Sequence, residues 1–346
     1  MSIQDETASR TSSPSAGSAG TGPDSDVERY RNSLRQIGSI ASELLQGARS
    51  TSADSTSHGT DATDAGAACH IMPLPPRLQK PAAEIARRIN PVNAPSEELL
   101  SLGGGISQPQ FLTLTTSKYW GPKPRTLSVS FMETTSTDLK ERILSHLNAW
   151  SCGITFALTS NTGDIRISRG QGGYWSYLGT DTRLIPTNRQ TMNLQSFTIN
   201  TPESEYLRVV RHEAGHTLGF PHEHMRKALV ERIDPNKAYA YFEQQYGWDR
   251  STVDQQVLTP LDSRTIIGTE PDQDSIMCYQ LPGDITKDGN PITGGTDINQ
   301  TDFAFANIIY PTILWRPGAT GTGESHNTDV PATIDWDPSE DVPITG

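Results

Sequence analysis

The stretch Arg211-His212-Glu213-Ala214-Gly215-His216-Thr217-Leu218-Gly219-Phe220-Pro221-His222-Glu223 gathers three imidazoles and two carboxylates in thirteen residues. His212 and His216 stand four apart, so on a helix both rings leave the same face and can hold one cation. Glu213 is one step round from His212, near enough to reach a water on that cation without taking a coordination position. Gly219 stands where a helix ends in a left-handed residue, and the turn can bring His222 back to the same point three residues later. Three neutral imidazoles suit Zn²⁺, leave a position for water and lower the pKa of that water towards neutrality. The H-E-x-x-H pair alone arises by chance in roughly one sequence of this composition in a hundred, and Gly219 and His222 at fixed offsets reduce that to roughly a few in 10⁵. The metal reading therefore outweighs that of surface histidines on a helix.

Several elements must position these residues. Thr201, Pro202 and Glu203 read as cap, first-turn proline and early acid of the motif helix, with Leu207, Val210, Ala214 and Leu218 as its buried stripe. Upstream, Leu127, Val129 and Phe131 alternate as in a half-buried strand. Thr137 or Asp138 can cap a helix whose stripe is Leu139, Ile143, Leu147 and Trp150. Residues 154–158 and 164–168 read as further strands, followed by an aromatic, Gly-rich stretch (172–179) and a short strand at 190–194. The second half turns helical and loop-rich. Strands and helices are partly segregated, so the fold class expected is α+β.

With these residues in place the sequence resembles a known family. H-E-x-x-H-x-x-G-x-x-H is the zinc signature of the metzincin metallopeptidases, and Glu223 after the third histidine resembles the astacin branch. Ser275-Ile276-Met277-Cys278-Tyr279 matches the astacin-like Met-turn, S-x-M-x-Y. The resemblance implies a metzincin, or zincin-like, domain: a twisted, mostly parallel sheet with an antiparallel edge strand, an active-site helix and a Met-turn. It implies a zinc endopeptidase acting on protein or peptide substrates, with one Zn²⁺ per chain on His212, His216 and His222. Glu213 is then the general base towards a metal-activated water, Met277 the floor beneath the metal, and Tyr279 a switchable ligand that helps stabilise the transition state. Met192, Asn193 and Leu194 look like the family's edge strand, which pairs with an extended substrate. Trp175 and Tyr177 fit either core packing or the cleft, and the stretch 299–310 looks like the closing helix of such domains. In astacins the Glu after the third histidine meets the buried N-terminus of the mature enzyme, which is the role implied for Glu223. The disulfide cysteines of animal astacins are missing, and Arg226 is followed by Lys227-Ala228-Leu229-Val230 rather than an acidic pattern, which points to a microbial member. The alternative is a non-catalytic, zinc-stabilised binding module on the same fold; its mark would be loss of Glu213, and Glu213 is present.

The rest of the chain bounds this reading. The 346 residues carry a net charge of -12 and are 34 % apolar, lean enough that part of the chain is expected not to fold. No run approaches the roughly eighteen apolar residues of a membrane helix, which excludes an integral membrane protein. The acidic balance argues against nucleic acid and anionic lipid. Three cysteines, Cys69, Cys152 and Cys278, are too few for a disulfide framework. The start of the chain does not resemble a secretory signal, so the compartment stays open: secreted by family analogy, cytoplasmic by sequence. Residues 1–68 read as mostly disordered with a short apolar-striped helix near 27–46. Residues 69–109 read as a linker or pro-like segment with a helix carrying Leu78, Ile85 and Ile89; 110–315 form the peptidase domain, and 316–346 a disordered acidic tail. Cys69-His70 is either a plain linker pair or a thiolate cap on the zinc. His224 is read as pointing away from the metal, His146 as a satisfied or exposed helix histidine, and Cys278 as a small buried hydrophobe.

Overall fold

The computed structural model describes residues 69–90, 93, 118–261 and 271–312. The expected helix near 27–46 and the expected disordered stretches, 1–68 and 316–346, lie outside the described residues. A six-stranded sheet has the order β1 (Cys69–Ile71), β5 (Tyr174–Ser176), β6 (Met192–Leu194), β4 (Ile165–Ser168), β2 (Arg125–Phe131), β3 (Ile154–Leu158). β5 and β6 are antiparallel and every other neighbouring pair is parallel. The α+β class is as the sequence predicts, and the mostly parallel sheet is as the family resemblance implies.

In β2, Leu127 and Val129 point into the core, while β4, between β2 and β6, is buried at every residue. Helix α2 (Thr137–Leu147) lays Leu139, Ile143 and Leu147 on the sheet, and Trp150 follows in a 3-10 turn. Its N-cap is Ser136, one residue before the expected cap, and that side chain makes no capping hydrogen bond. The edge-strand expectation is overturned. Met192, Asn193 and Leu194 form an interior strand, paired to β4 on one side and β5 on the other, and all three are buried. The Gly-rich stretch supplies the strand beyond them. Gly172 and Gly173, at φ 117° and 77°, turn the chain back into β5, and three-residue strands are too short to announce themselves by alternation.

β5 is covered in turn by β1, which continues into helix α1 (Pro76–Ile89). Leu78, Ala82 and Ile85 of α1 pack on Trp175, Tyr177, Leu184 and Ile185, so residues 69–89 are a strand and a helix docked on the domain. Trp175 and Tyr177 thus serve this packing. Asn90, extended at φ -149° ahead of Pro91, ends α1.

The motif helix begins at Glu203 with Pro202 as N-cap, passes through a π turn at Tyr206–Val210, and continues as α3 (Arg211–Thr217). The widened turn rotates the stripe: Tyr206, Val209 and Val210 are buried and Leu207 is only half-buried. Beyond α3 a second apolar cluster gathers Phe242 of α4 (Pro235–Tyr246) with Trp248, Val253, Val257, Cys278, Leu281 and Ile285. The last helix, α5 (Gln300–Ile309), returns Ala306 and Ile309 to the first cluster. The metal motif and Met-turn lie where the two clusters meet, since Met277 belongs to one and Cys278 to the other.

The docking of residues 69–89 can be tested through its own core. Truncating the 1 % exposed Leu78 to alanine is expected to remove about 2–4 kcal/mol of local docking free energy. Amide exchange at Ile71 and Met72 should accelerate roughly 30- to 1000-fold, while Val129 and Ile167 in the central sheet keep their protection. Uniform acceleration across both sets would mean that the segment and the sheet open as one unit.

Candidate active site

The end of α3 is closed by a Schellman pair: the Phe220 amide donates to the Gly215 carbonyl at 2.9 Å and the Gly219 amide to that of His216 at 2.8 Å. Gly219 sits at φ 96°, a conformation costly for any residue with a Cβ. The turn aims the Phe220 carbonyl at His216 Nδ1, 2.8 Å away, and brings His222 round until its Nε2 is 3.0 Å from that of His216. Trp120 Nε1 donates to the Thr217 carbonyl at 2.8 Å, and the Tyr310 hydroxyl donates to that of Leu218. These bonds satisfy the last carbonyls of the helix.

Across from α3, the Met-turn is held by Asp302. Its carboxylate accepts from Ser275 Oγ at 2.6 Å and from the Ile276 amide at 3.0 Å. Asp302 also completes a capping box with Asn299 at the start of α5. The turn so fixed offers the Ile276 carbonyl to His212 Nδ1 at 2.6 Å. His212 and His216 therefore each use Nδ1 on a backbone carbonyl, which selects the tautomer leaving Nε2 free as a ligand atom. A Cβ on Gly215 would fall 2.3 Å from Met277 Sδ and 2.9 Å from Trp150 Cζ2. The floor thus touches the helix backbone itself.

The donor set fits a metal. One ring nitrogen from each of His212, His216 and His222, together with Cys69 Sγ, lie within 4.8 Å of one another, and all four residues are buried. Tetrahedral zinc with nitrogen and sulfur ligands needs donor separations of roughly 3.3–3.6 Å. His212 Nε2 is buried with no hydrogen-bond partner among the described residues. Burial holds His212 down at about 4 and His216 and His222 well below the usual histidine value, so all three are neutral, the form that binds metal.

Glu213 is fully buried, and its oxygens accept no well-formed hydrogen bond among the described residues. Burial pushes it up to about 8, while the neighbouring Cys69 thiol and the charge of Arg208 pull it back. Tyr279 lies over the histidines, 4.3 Å from the His222 ring and 6.3 Å from that of His212, and its buried hydroxyl has no partner among the described residues. His224 faces elsewhere: its Nε2 bonds the Gln256 carbonyl at 2.8 Å and its ring stacks on Tyr279 at 4.2 Å. Glu223 lies against the Met-turn, its amide donating to the Met277 carbonyl at 2.8 Å and its carboxylate accepting from the Asp272 amide at 3.3 Å. His146 is buried, its Nδ1 accepting from Arg211 Nε at 3.3 Å.

Sequence reasoning found the metal motif and the Met-turn but missed what braces them. The Asn299-x-x-Asp302 cap pattern was available as a signal for α5. No local signal announces that its acid also clamps a turn lying about 26 residues upstream. The roles of Trp120, Tyr310 and Gln256 depend on long-range contacts alone.

A mixed sheet over a helix with two histidines, a turn that returns a third, and a methionine turn as floor define a zinc metallopeptidase of the metzincin type. Residues 113–288, half of the chain, match the astacin family of peptidases, and the chain belongs to that family as a zinc metalloendopeptidase. Among solved structures, one of myroilysin is 30 % identical over 58 % of this chain and 99 % of its own, with a TM-score of 0.55. A crystal structure of myroilysin matches at 30 % identity over 56 % of this chain and 86 % of its own, with a TM-score of 0.44. High choriolytic enzyme 1, a hatching enzyme zinc-protease from the medaka fish Oryzias latipes, is 20 % identical over 54 % of this chain and 88 % of its own, with a TM-score of 0.37. No curated protein matches the sequence.

The contact beneath the helix yields a prediction. Gly215→Ala is expected to cost about 1–3 kcal/mol, because Met277 and Trp150 are both packed and must shift. It should also lower zinc retention by displacing the floor. Thermal unfolding and metal content of the purified variant check both effects, and unchanged values would mean that the Met-turn yields without loss.

Proposed function

We propose that the chain hydrolyses internal peptide bonds of proteins with Glu213 as general base, one zinc per chain on His212, His216 and His222, and Cys69 as a cap that keeps the site latent. The observation that supports this most directly is the placement of Cys69 Sγ among the three imidazoles, with β1 lying along β5 in the groove. A zinc ion there supplies a Lewis acid for the scissile carbonyl and acidifies water. Glu213 takes a proton from the attacking water and returns it to the leaving amine. With β1 in place, burial raises the affinity of Glu213 for a proton above that of an exposed glutamate. The Tyr279 hydroxyl, beside His222 and without a partner among the described residues, would donate to the oxyanion that forms.

Latency follows from the same geometry. With zinc bound, Cys69 would be the residue that takes the position left for water, and β1 on the sheet would occupy the place of substrate. The substrate's place is the β5 edge, which moves the pairing role from Met192, Asn193 and Leu194 to Tyr174–Ser176. Met192 and Leu194 then support the strand from behind, and Asn193 carries its turn through Nδ2 bonds to the Gly170 carbonyl at 3.1 Å and the Gly173 carbonyl at 2.7 Å.

Two variants test the reading. In the full-length chain Cys69→Ala should raise cleavage of a quenched peptide at least roughly tenfold, since about 1.4 kcal/mol of lost anchoring already suffices for that. Adding Glu213→Gln should leave zinc content unchanged and abolish the gain by about two or more orders of magnitude. Full activity of the Cys69→Ala, Glu213→Gln chain would refute Glu213 as the base. Zinc retained without any hydrolysis in Cys69→Ala would favour the binding module instead.

A further inference from the structure

Gln256 does something that the metal site does not require. It lies in the π turn Asp254–Leu258, between the buried Val253 and Val257, and its backbone carbonyl is tied to His224. From that fixed point its carboxamide reaches across the groove to the backbone of one residue of β1. The Ile71 amide donates to Gln256 Oε1 and Gln256 Nε2 donates to the Ile71 carbonyl, each at 3.4 Å. In an extended chain the N–H and C=O of one residue point to the same side, and those of its neighbours to the other. The Met72 amide accordingly bonds the Ser176 carbonyl of β5 at 3.0 Å. The strand in the groove is thus held on both edges, by β5 on one and, among the described residues, by the Gln256 side chain on the other.

The geometry points to Gln256 as a main-chain clamp of the substrate groove, holding Ile71 in the latent chain and the corresponding backbone of an extended peptide once β1 has left. This deepens the proposed function and rests on its statement that substrate takes the place of β1. Both bonds go to backbone atoms, so the clamp reads no side chain. It favours extended polypeptide, whatever its sequence, over folded or cyclic chains that cannot present N–H and C=O on one edge. The carboxamide matches this role because it offers one donor and one acceptor side by side, as a neighbouring strand would. Leu keeps the volume and removes both; Glu keeps the acceptor and removes the donor.

The test uses the full-length chain in two parts. In the otherwise native protein, Gln256→Leu should raise amide exchange at Ile71 roughly 3- to 10-fold, as expected for one lost neutral hydrogen bond, and leave Met72 unchanged. In the Cys69→Ala background, a set of matched peptides carries one ester in place of an amide at successive positions away from the cleaved bond. With Gln256 present, an ester at one position that does not depend on β5 should lower kcat/KM roughly 3- to 10-fold, and once Gln256→Leu is added that penalty should vanish. Comparing ester with amide within each enzyme cancels any change in how readily β1 leaves. Identical ester scans in both enzymes, or unchanged Ile71 exchange, would overturn the clamp. Absence of hydrolysis in Cys69→Ala would instead strike the proposed function, and the exchange measurement would still decide whether Gln256 grips the strand.

Discussion

Gly215 has no side chain, and the architecture of the site depends on that absence. Because Met277 Sδ can approach the helix backbone there, the Met-turn lies close enough for the Ile276 carbonyl to meet His212 Nδ1 at 2.6 Å. The same turn bonds the Glu223 amide through the Met277 carbonyl at 2.8 Å, just after the third histidine. One close approach therefore orients the first ligand directly and holds the chain beside the last. Asp302 makes the approach durable by binding the turn with two hydrogen bonds while capping α5, whose other end joins the core of the sheet. A displacement at any of these points would be felt at the imidazoles, because interiors packed at crystal-like density transmit shifts of a fraction of an ångström.

The second constraint is electrostatic. Three imidazoles, a carboxyl and a thiol are packed into one buried volume, and burial drives each towards its neutral form. For the histidines this is useful, since a protonated ring cannot be a ligand. For Glu213 it means that the carboxyl, where it lies, holds a proton more tightly than an exposed glutamate. The Cys69 thiol is strongly disfavoured from ionising where it lies, through burial first and the charge of Glu213 second. A thiolate there is tenable only with a cation to receive it, so the proposed cap requires a bound metal.

The chemistry of the site was more legible in the sequence than the frame around it. His212, His216 and His222 announce themselves because ligand geometry fixes their spacing, with Glu213 beside the first. Met277 and Tyr279 are legible only through the family resemblance, and the central strands and α2 follow from apolar period. Met192–Leu194 was misplaced as an edge because three-residue strands carry almost no period, and strand order is set by pairing at a distance. The π turn at Tyr206–Val210 was invisible for a related reason: one extra residue in a turn shifts the buried face without changing the composition that signals a helix. The place of Cys69 is not legible, since nothing nearby in sequence says that a strand will carry it to the three imidazoles. Asp302 and Gln256 act across 26 and 185 residues, and no local pattern encodes such partners.

The sheet edge explains why a segment as short as β1 can close the groove. An open β5 would present unpaired N–H and C=O groups, and any extended chain that satisfies them exposes a second edge of its own. β1 needs only three residues because its first is Cys69, its last is gripped by Gln256, and α1 is docked outside the groove on Trp175, Tyr177, Leu184 and Ile185. The helix thus supplies a high local concentration of the strand, and the strand itself need not bind tightly. That division has a consequence for recognition. Under the proposed latency, a groove that releases its own strand cannot rely on deep side-chain pockets matched to that strand, or the tethered segment would always outcompete free substrate. Contacts to backbone atoms avoid the conflict. They serve any extended chain equally, and leave the tether and the thiol to decide which chain occupies the site.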